Sequence, residues 1–146
     1  MASPVLPKIS IYQRRRKHRV DLTSLKRRVT AALPLCVEAA RGEEVPLKQL
    51  PEIEATILGD DEIARIHGEF MEDPTPTDVI TFQHGEILVS VDTAALRGPE
   101  HGHDTTTELL LYLIHGLLHL GGWEDQDEQE RNEMHQIQER ILNAVS

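Results

Sequence analysis

Residues 104–120 constrain this chain more than any other stretch. Leu109, Leu110, Leu113, Ile114, Leu117, Leu118 and Leu120 recur at helical spacing and leave the segment apolar around most of its circumference. Such a helix belongs in the buried centre of a fold. Asp104 or Thr105 can serve as its N-cap, with Glu108 in reach for a capping box. Gly121 and Gly122 supply permissive backbone that stops the helix and reverses the chain.

Two histidines interrupt this apolar surface. His115 and His119 lie four residues apart and so project side by side from one helix face. Asp125 follows the glycine turn and can swing back towards them. That is the order of parts in a three-ligand metal site with coordination positions left open. The competing interpretation is a pair of hydrogen-bonded core histidines. Burying two imidazoles among leucines without a metal or strong acceptors is unfavourable, and this favours the metal. Glu124, His101, His103 and His135 are the other nearby donors. Metallopeptidases of the H-E-x-x-H type carry a glutamate base directly after the first histidine. Gly116 stands there and cannot take a proton, which argues against peptide hydrolysis.

The remaining pattern interleaves strands and helices. Lys8–Gln13 alternates as a first strand. A helix capped by Asp21 or Thr23 runs to about Ala40, with Pro34 predicting a kink or break. Residues 54–58 read as a strand, 60–70 as a short helix, and 71–76 as a proline-containing loop. Residues 77–82 and 86–91 read as two strands of a hairpin around Gln83-His84-Gly85. A helical piece at 92–97 and a Gly/Pro/His loop at 98–103 precede the central helix. Residues 128–145 form a last amphipathic helix with Met134, Ile137, Ile141 and Leu142 inward. The expected class is α+β, one domain over residues 1–146: a small mixed four-stranded sheet packed with helices around a buried metal-binding helix. Cys36, the only cysteine, excludes an internal disulfide and reads as a small buried apolar residue. No apolar run reaches membrane-spanning length, so a soluble cytoplasmic protein without a membrane partner is expected.

The formal net charge of −10 hides an asymmetry. Residues 1–40 hold nine Lys/Arg against two acids, and the remainder six against 23. Arg14, Arg15, Arg16 and Lys17 therefore form a local basic surface able to contact phosphates. A solvated loop, or one docked on the chain's own acids, is the other expectation. With aromatics at 3%, base stacking is scarce, so recognition of a nucleic acid should depend little on base sequence.

Three motifs, in order, give the chain a resemblance. His115-Gly-Leu-Leu-His119-Leu-Gly-Gly-Trp-Glu-Asp125 is similar to H-G-x-L-H-L-x-G-x-D-H. Pro76-Thr-Asp-Val-Ile-Thr-Phe82 is similar to P-T-D-V-L-S-F, and Gly85-Glu-Ile-Leu-Val-Ser90 to G-D-I-x-I-S. The chain thus resembles the YbeY endoribonuclease family, the bacterial rRNA maturation factors. The resemblance implies one zinc ion on His115, His119 and residue 125, and cleavage of single-stranded RNA. It further implies a role in small-subunit rRNA 3′-end maturation and ribosome quality control, with RNA or the small ribosomal subunit, not DNA, as partner.

Two departures stand out. The family's third ligand is a histidine and here it is Asp125, whose charge makes the ion a weaker Lewis acid and opens the site to manganese or iron. An arginine that the family uses in RNA cleavage falls on Met71, leaving Arg65 or the N-terminal arginines to replace it. Glu86, Asp78 and Glu124 are the candidate bases, with Glu86 taken first. The rival expectation is a non-catalytic RNA-binding or ribosome-binding protein with a structural metal.

Overall fold

The computed structural model describes residues 6–71 and 78–146. Four strands, β1 (Lys8–Gln13), β2 (Glu52–Leu58), β3 (Val79–Phe82) and β4 (Glu86–Ser90), form one mixed sheet in the order β1-β2-β4-β3. β1 and β4 both run parallel to β2, and β3 pairs antiparallel with β4 across the expected hairpin. The α+β class and the mixed four-stranded sheet are as the sequence indicated.

Side-chain alternation divides the sheet into two unequal faces. Ile53, Ala55 and Ile57 of β2 and Ile87 and Val89 of β4 join the main core with α1 (Leu22–Glu38), α5 (Thr105–Leu120) and α6 (Glu128–Val145). Leu58, Leu88 and Ile80 face the other way, against Ile63 of α3 (Asp60–Met71), in a small second cluster. Twelve of the sixteen residues of α5 are buried, which makes it the central helix its composition demands.

Neighbouring helices fix the direction of α5. At its start the Asp21 backbone N–H donates to Thr106 Oγ1 (3.0 Å), and at its end the Trp123 indole donates to the carbonyl of Ala39 (2.8 Å). Thus α1 and α5 run side by side in the same direction. α6 returns the opposite way: Gln138 meets His115, and the Val145 carbonyl accepts from Arg28 near the start of α1.

Several local expectations change. Pro34 lies inside α1 without ending it, because it and Thr30, whose carbonyl loses its helical donor, are both exposed to water. Asp104 caps α5 by accepting from the Thr107 backbone N–H (2.8 Å), but Glu108 forms no capping box. β2 begins at Glu52, and a short helix α2 (Pro46–Gln49), absent from the sequence reading, precedes it. Residues 91–97 form α4, and residues 98–101 form a 3-10 turn. Cys36 is fully buried and burial pushes its thiol up to about 12, as a packing residue requires. No helix among the described residues is long and apolar enough to cross a membrane.

Candidate metal centre

The centre forms where α5 ends. Its last turn closes with two hydrogen bonds, Gly122 N–H to the His119 carbonyl and Trp123 N–H to the Leu118 carbonyl, both 3.0 Å. This is the Schellman arrangement, and it needs a left-handed residue at Gly122, whose φ is +92°. Gly121 keeps a φ of −83°, so Gly122 alone supplies the left-handed conformation. A Cβ at Gly122 would also lie 2.9 Å from Val45 Cγ1. Trp123 is anchored by its indole hydrogen bond to Ala39 and lies under the Arg41 guanidinium, 4.9 Å from the ring centre. Arg41 in turn pairs with Glu130, which accepts from the Glu124 N–H. The turn is therefore held from α1 on one side and α6 on the other.

This anchoring sets the chemistry of both histidines. The Trp123 carbonyl can only accept, and it lies 2.8 Å from His119 Nδ1. The Nδ1 therefore carries the proton and Nε2 presents a lone pair. Gln138 Oε1 does the same for His115 Nδ1, also at 2.8 Å. The two Nε2 atoms then face each other 3.0 Å apart, with Asp125 Oδ2 at 3.8 and 3.9 Å from them. Two lone pairs and a carboxylate directed at one point repel unless a cation lies between them. A tetrahedral zinc with bonds of about 2.0–2.1 Å separates its donors by about 3.3 Å, and the three distances bracket that value. Imidazoles held by outer acceptors are also the usual support of such ligands. The donor set fits the ion. Burial pushes the His115 imidazole below its ordinary pKa, with the Gln138 bond opposing and His119 adding to the shift, so His115 is held neutral as a ligand must be.

Gly116 explains why the helix can approach the sheet here. A Cβ on it would lie 3.0 Å from both Ile87 Cγ2 and Thr81 Oγ1. The position where a metallopeptidase keeps its glutamate is filled by the sheet, which strengthens the case against peptide hydrolysis.

Other expected site residues lie elsewhere. Glu86 shares its strand face with Leu88, away from α5, and approaches His84 at 3.5 Å. Alternation along β4 sends Ile87, not Glu86, towards α5 at Gly116. Arg65 is likewise exposed on α3, paired with Glu69 at 3.1 Å, and α3 packs on that same far face. Met71 closes α3, and residues 72–77, including Pro76 and Thr77, lie outside the described residues. Of the expected bases, Asp78 borders a cavity of about 510 Å³ that His115 also lines. Glu124 borders a smaller one, about 250 Å³, with His119 and Asp125.

The basic segment leads into Asp21, which meets Thr106 at the start of α5, the end opposite the ligands. Arg14 approaches Glu62 at 3.7 Å, Arg15 lies over Gly59 beside Asp92, and His18 contacts Asp92 at 3.0 Å. Arg16 and Lys17 are exposed. From Thr105 to His119 the helix advances about 21 Å at 1.5 Å per residue. The loop thus docks in part on the chain's own acids. Two cations the sequence reading missed stand on the ligand-bearing turn: Arg41, and Arg131, whose Nε donates to the Asp125 carbonyl at 3.2 Å. Gln138 was missed too. Its only signal was a polar residue one turn from Ile141 on the buried stripe of the last helix.

Comparison with known proteins agrees with this architecture. The family model described as Endoribonuclease YbeY matches residues 10–146. A protein of Gloeobacter violaceus named Endoribonuclease YbeY is 33% identical, over 81% of this chain and 77% of its own. Namesakes from Synechococcus sp. RCC307 and Parasynechococcus marenigrum are 34% and 44% identical over 58% and 51% of this chain. The aligned part spans only 62% and 40% of those two relatives' lengths. The solution structure of TM1509 from Thermotoga maritima shares the fold, with a TM-score of 0.61 and 24% identity over 94% of this chain and 88% of that one. The ligand-bearing turn stands inside the matched region, and the chain belongs to the YbeY endoribonuclease family.

Proposed function

We propose that this protein is a metal-dependent endoribonuclease that cuts single-stranded RNA in the cytoplasm, with the 3′ end of small-subunit rRNA and ribosome quality control as its setting. The observation that carries the reading is the convergence of His115 Nε2, His119 Nε2 and Asp125 Oδ2, each imidazole oriented by an outer acceptor. Its relatives' name supplies the reaction class and the RNA substrate. The ion, zinc first and manganese or iron next, supplies a Lewis acid for the phosphodiester when bound.

The chain's own residues do the rest. His115, His119 and Asp125 hold the ion, and Gln138 and the Trp123 carbonyl hold the imidazoles. Arg41 and Arg131 place positive charge on the same turn, where a scissile phosphate would sit. Asp78 and Glu124 take over the role of proton acceptor from Glu86, because they border the cavities beside the ligands. Arg14, Arg15, Arg16 and Lys17 serve as a remote contact for RNA backbone.

A second reading, an RNA-binding protein with a structural metal, draws on one observation: the Arg14–Lys17 loop makes its contacts with Glu62, Gly59 and Asp92 and not with the ligand-bearing turn, so binding and metal are separable. Turnover of a labelled single-stranded RNA with added Zn²⁺ separates the two. Cleavage that stops with chelator and with His115→Ala, and that spares a duplex of the same sequence, is the expected result. Rates indifferent to both treatments refute the metal-dependent enzyme. Tight, salt-sensitive binding without cleavage leaves the second reading.

A further inference from the structure

The polar stripe of α5 does not stop at His115. Glu108, Tyr112, His115 and His119 follow at spacings of four, three and four, so they share one face of an otherwise apolar helix. Glu108 is fully buried. His101 Nδ1 lies 3.0 and 2.9 Å from its two oxygens, and His103 Nδ1 lies 2.8 Å from one of them. The preceding loop is folded to make this possible. The His103 N–H returns to the Gly98 carbonyl (2.8 Å), Gly102 adopts a φ of +74°, and a Cβ on Gly98 would lie 2.8 Å from the His103 carbonyl.

We propose that His101, His103 and Glu108 form a second divalent-cation site, of the imidazole–carboxylate kind that takes Zn²⁺ and its neighbours. The three donors lie within 4.8 Å of one another. Donors at right angles around an ion with bonds near 2.1 Å are about 3.0 Å apart, which matches the nitrogen–oxygen distances. Charge favours the ion as well. A buried carboxylate brings a full negative charge, which a divalent ion on the same three donors would balance. Arg97, on the wall of the same cavity, is turned to Asp78 at 3.8 Å. The Tyr112 hydroxyl is buried beside Glu108 and lines the same cavity. It places a further oxygen one turn from the carboxylate.

The two sites are distinct. From Glu108 to His115 the helix advances about 10 Å, whereas ions that share one phosphate stand about 3.5–4 Å apart. The second ion therefore pins the loop of residues 98–103 to α5 and places positive charge on the wall of the cavity that His115 also lines. Only this last role rests on the RNA-cleaving reading; the binding itself does not.

Counting Zn²⁺ bound to chelator-treated, dialysed protein by native mass spectrometry tests this, with far-UV circular dichroism to verify folding. Two ions are expected for the unmodified chain, one for Glu108→Gln, one for His101→Ala, and one for His115→Ala. The double variant His115→Ala/Glu108→Gln should hold none. If Glu108→Gln does not fold, His101→Ala decides, since its ring is half-exposed. A single ion, lost in His115→Ala and kept in His101→Ala, overturns the second site and leaves the first intact. Two ions that survive both Glu108→Gln and His101→Ala also overturn it. Loss of an ion in His101→Ala but not in His115→Ala instead refutes the first centre.

Discussion

Two clusters on one helix use the same side chains in opposite ways. At the end of α5, His115 and His119 direct their Nδ1 atoms outward to Gln138 and the Trp123 carbonyl, and their Nε2 atoms face each other. Asp125 stands 3.8–3.9 Å off, half in solvent. At the start of α5 the carboxylate is the buried member, and both imidazoles direct Nδ1 inward to it. The first cluster has nitrogen lone pairs with no proton between them. The second has an anion with acceptor capacity and two imidazole nitrogens already on it. What separates them is where the outer acceptors stand, and this is set by α6 and the glycine turn, not by residue type.

The strongest way to break this contrast is His119→Ala. It removes one of two converging nitrogens, so zinc affinity at the first centre should fall by more than the 10–100-fold typical of losing an outer partner. Calorimetric titration reads it, and affinity within a few-fold of the unmodified chain would show that the pair is only a hydrogen-bonded core feature.

Next comes Gln138→Leu, which leaves His115 with no outer acceptor. Zinc affinity should drop about 10–100-fold, and Gln138→Glu, which still accepts from Nδ1, should restore it. No recovery with glutamate would mean that Gln138 matters through packing alone.

Gly116→Ala tests the close approach that brings His115 to the sheet. The added methyl meets Ile87 and Thr81 at 3.0 Å, and overpacking of this kind costs about 1–3 kcal/mol. Denaturant unfolding should show the loss. An unchanged midpoint would mean that the helix can withdraw freely, and the metal centre would then not be fixed by the sheet.

The smallest effect separates the clusters by pH. His115 is held below its ordinary pKa of 6.5, first by burial. Below 6.5 the unfolded chain takes a proton there that the folded chain resists, so metal-free stability falls as pH drops through that range. Glu108 differs in cause. Burial raises its carboxyl, but the imidazole bonds outweigh this and hold it below 4.5. Its stabilisation is complete above pH 4.5 and is lost as pH falls further. Melting temperatures of chelated protein should decline in two steps, the upper absent in His115→Ala and the lower in Glu108→Gln. One merged step, unaltered by either change, would contradict the distinction.

Much of the fold was legible because its signals are local. The alternation at Lys8–Gln13, the hairpin turn at Gln83–Gly85, the Asp21 and Asp104 caps and the apolar periodicity of residues 109–120 all act within a few residues. The convergence of His115, His119 and Asp125 was legible for the same reason, since with Gly122 they span eleven positions. The motif around Glu86 fixes a position along β4 but not which face of the sheet it occupies. Arg65 was chosen for charge and proximity in sequence, and α3 carries it to the far side.

The sequence by itself determined a buried leucine helix, a glycine stop and a histidine pair on one face, because helical periodicity and backbone sterics need no partner to be read. Only the tertiary structure decided which groups meet that face. Gln138 arrives from a helix 23 residues later, Arg41 from the end of α1, and His101 and His103 from a loop bent back on Glu108. These contacts join groups from separate elements, and packing around a shared core, rather than spacing along the chain, fixes the distances on which the chemistry of both clusters depends.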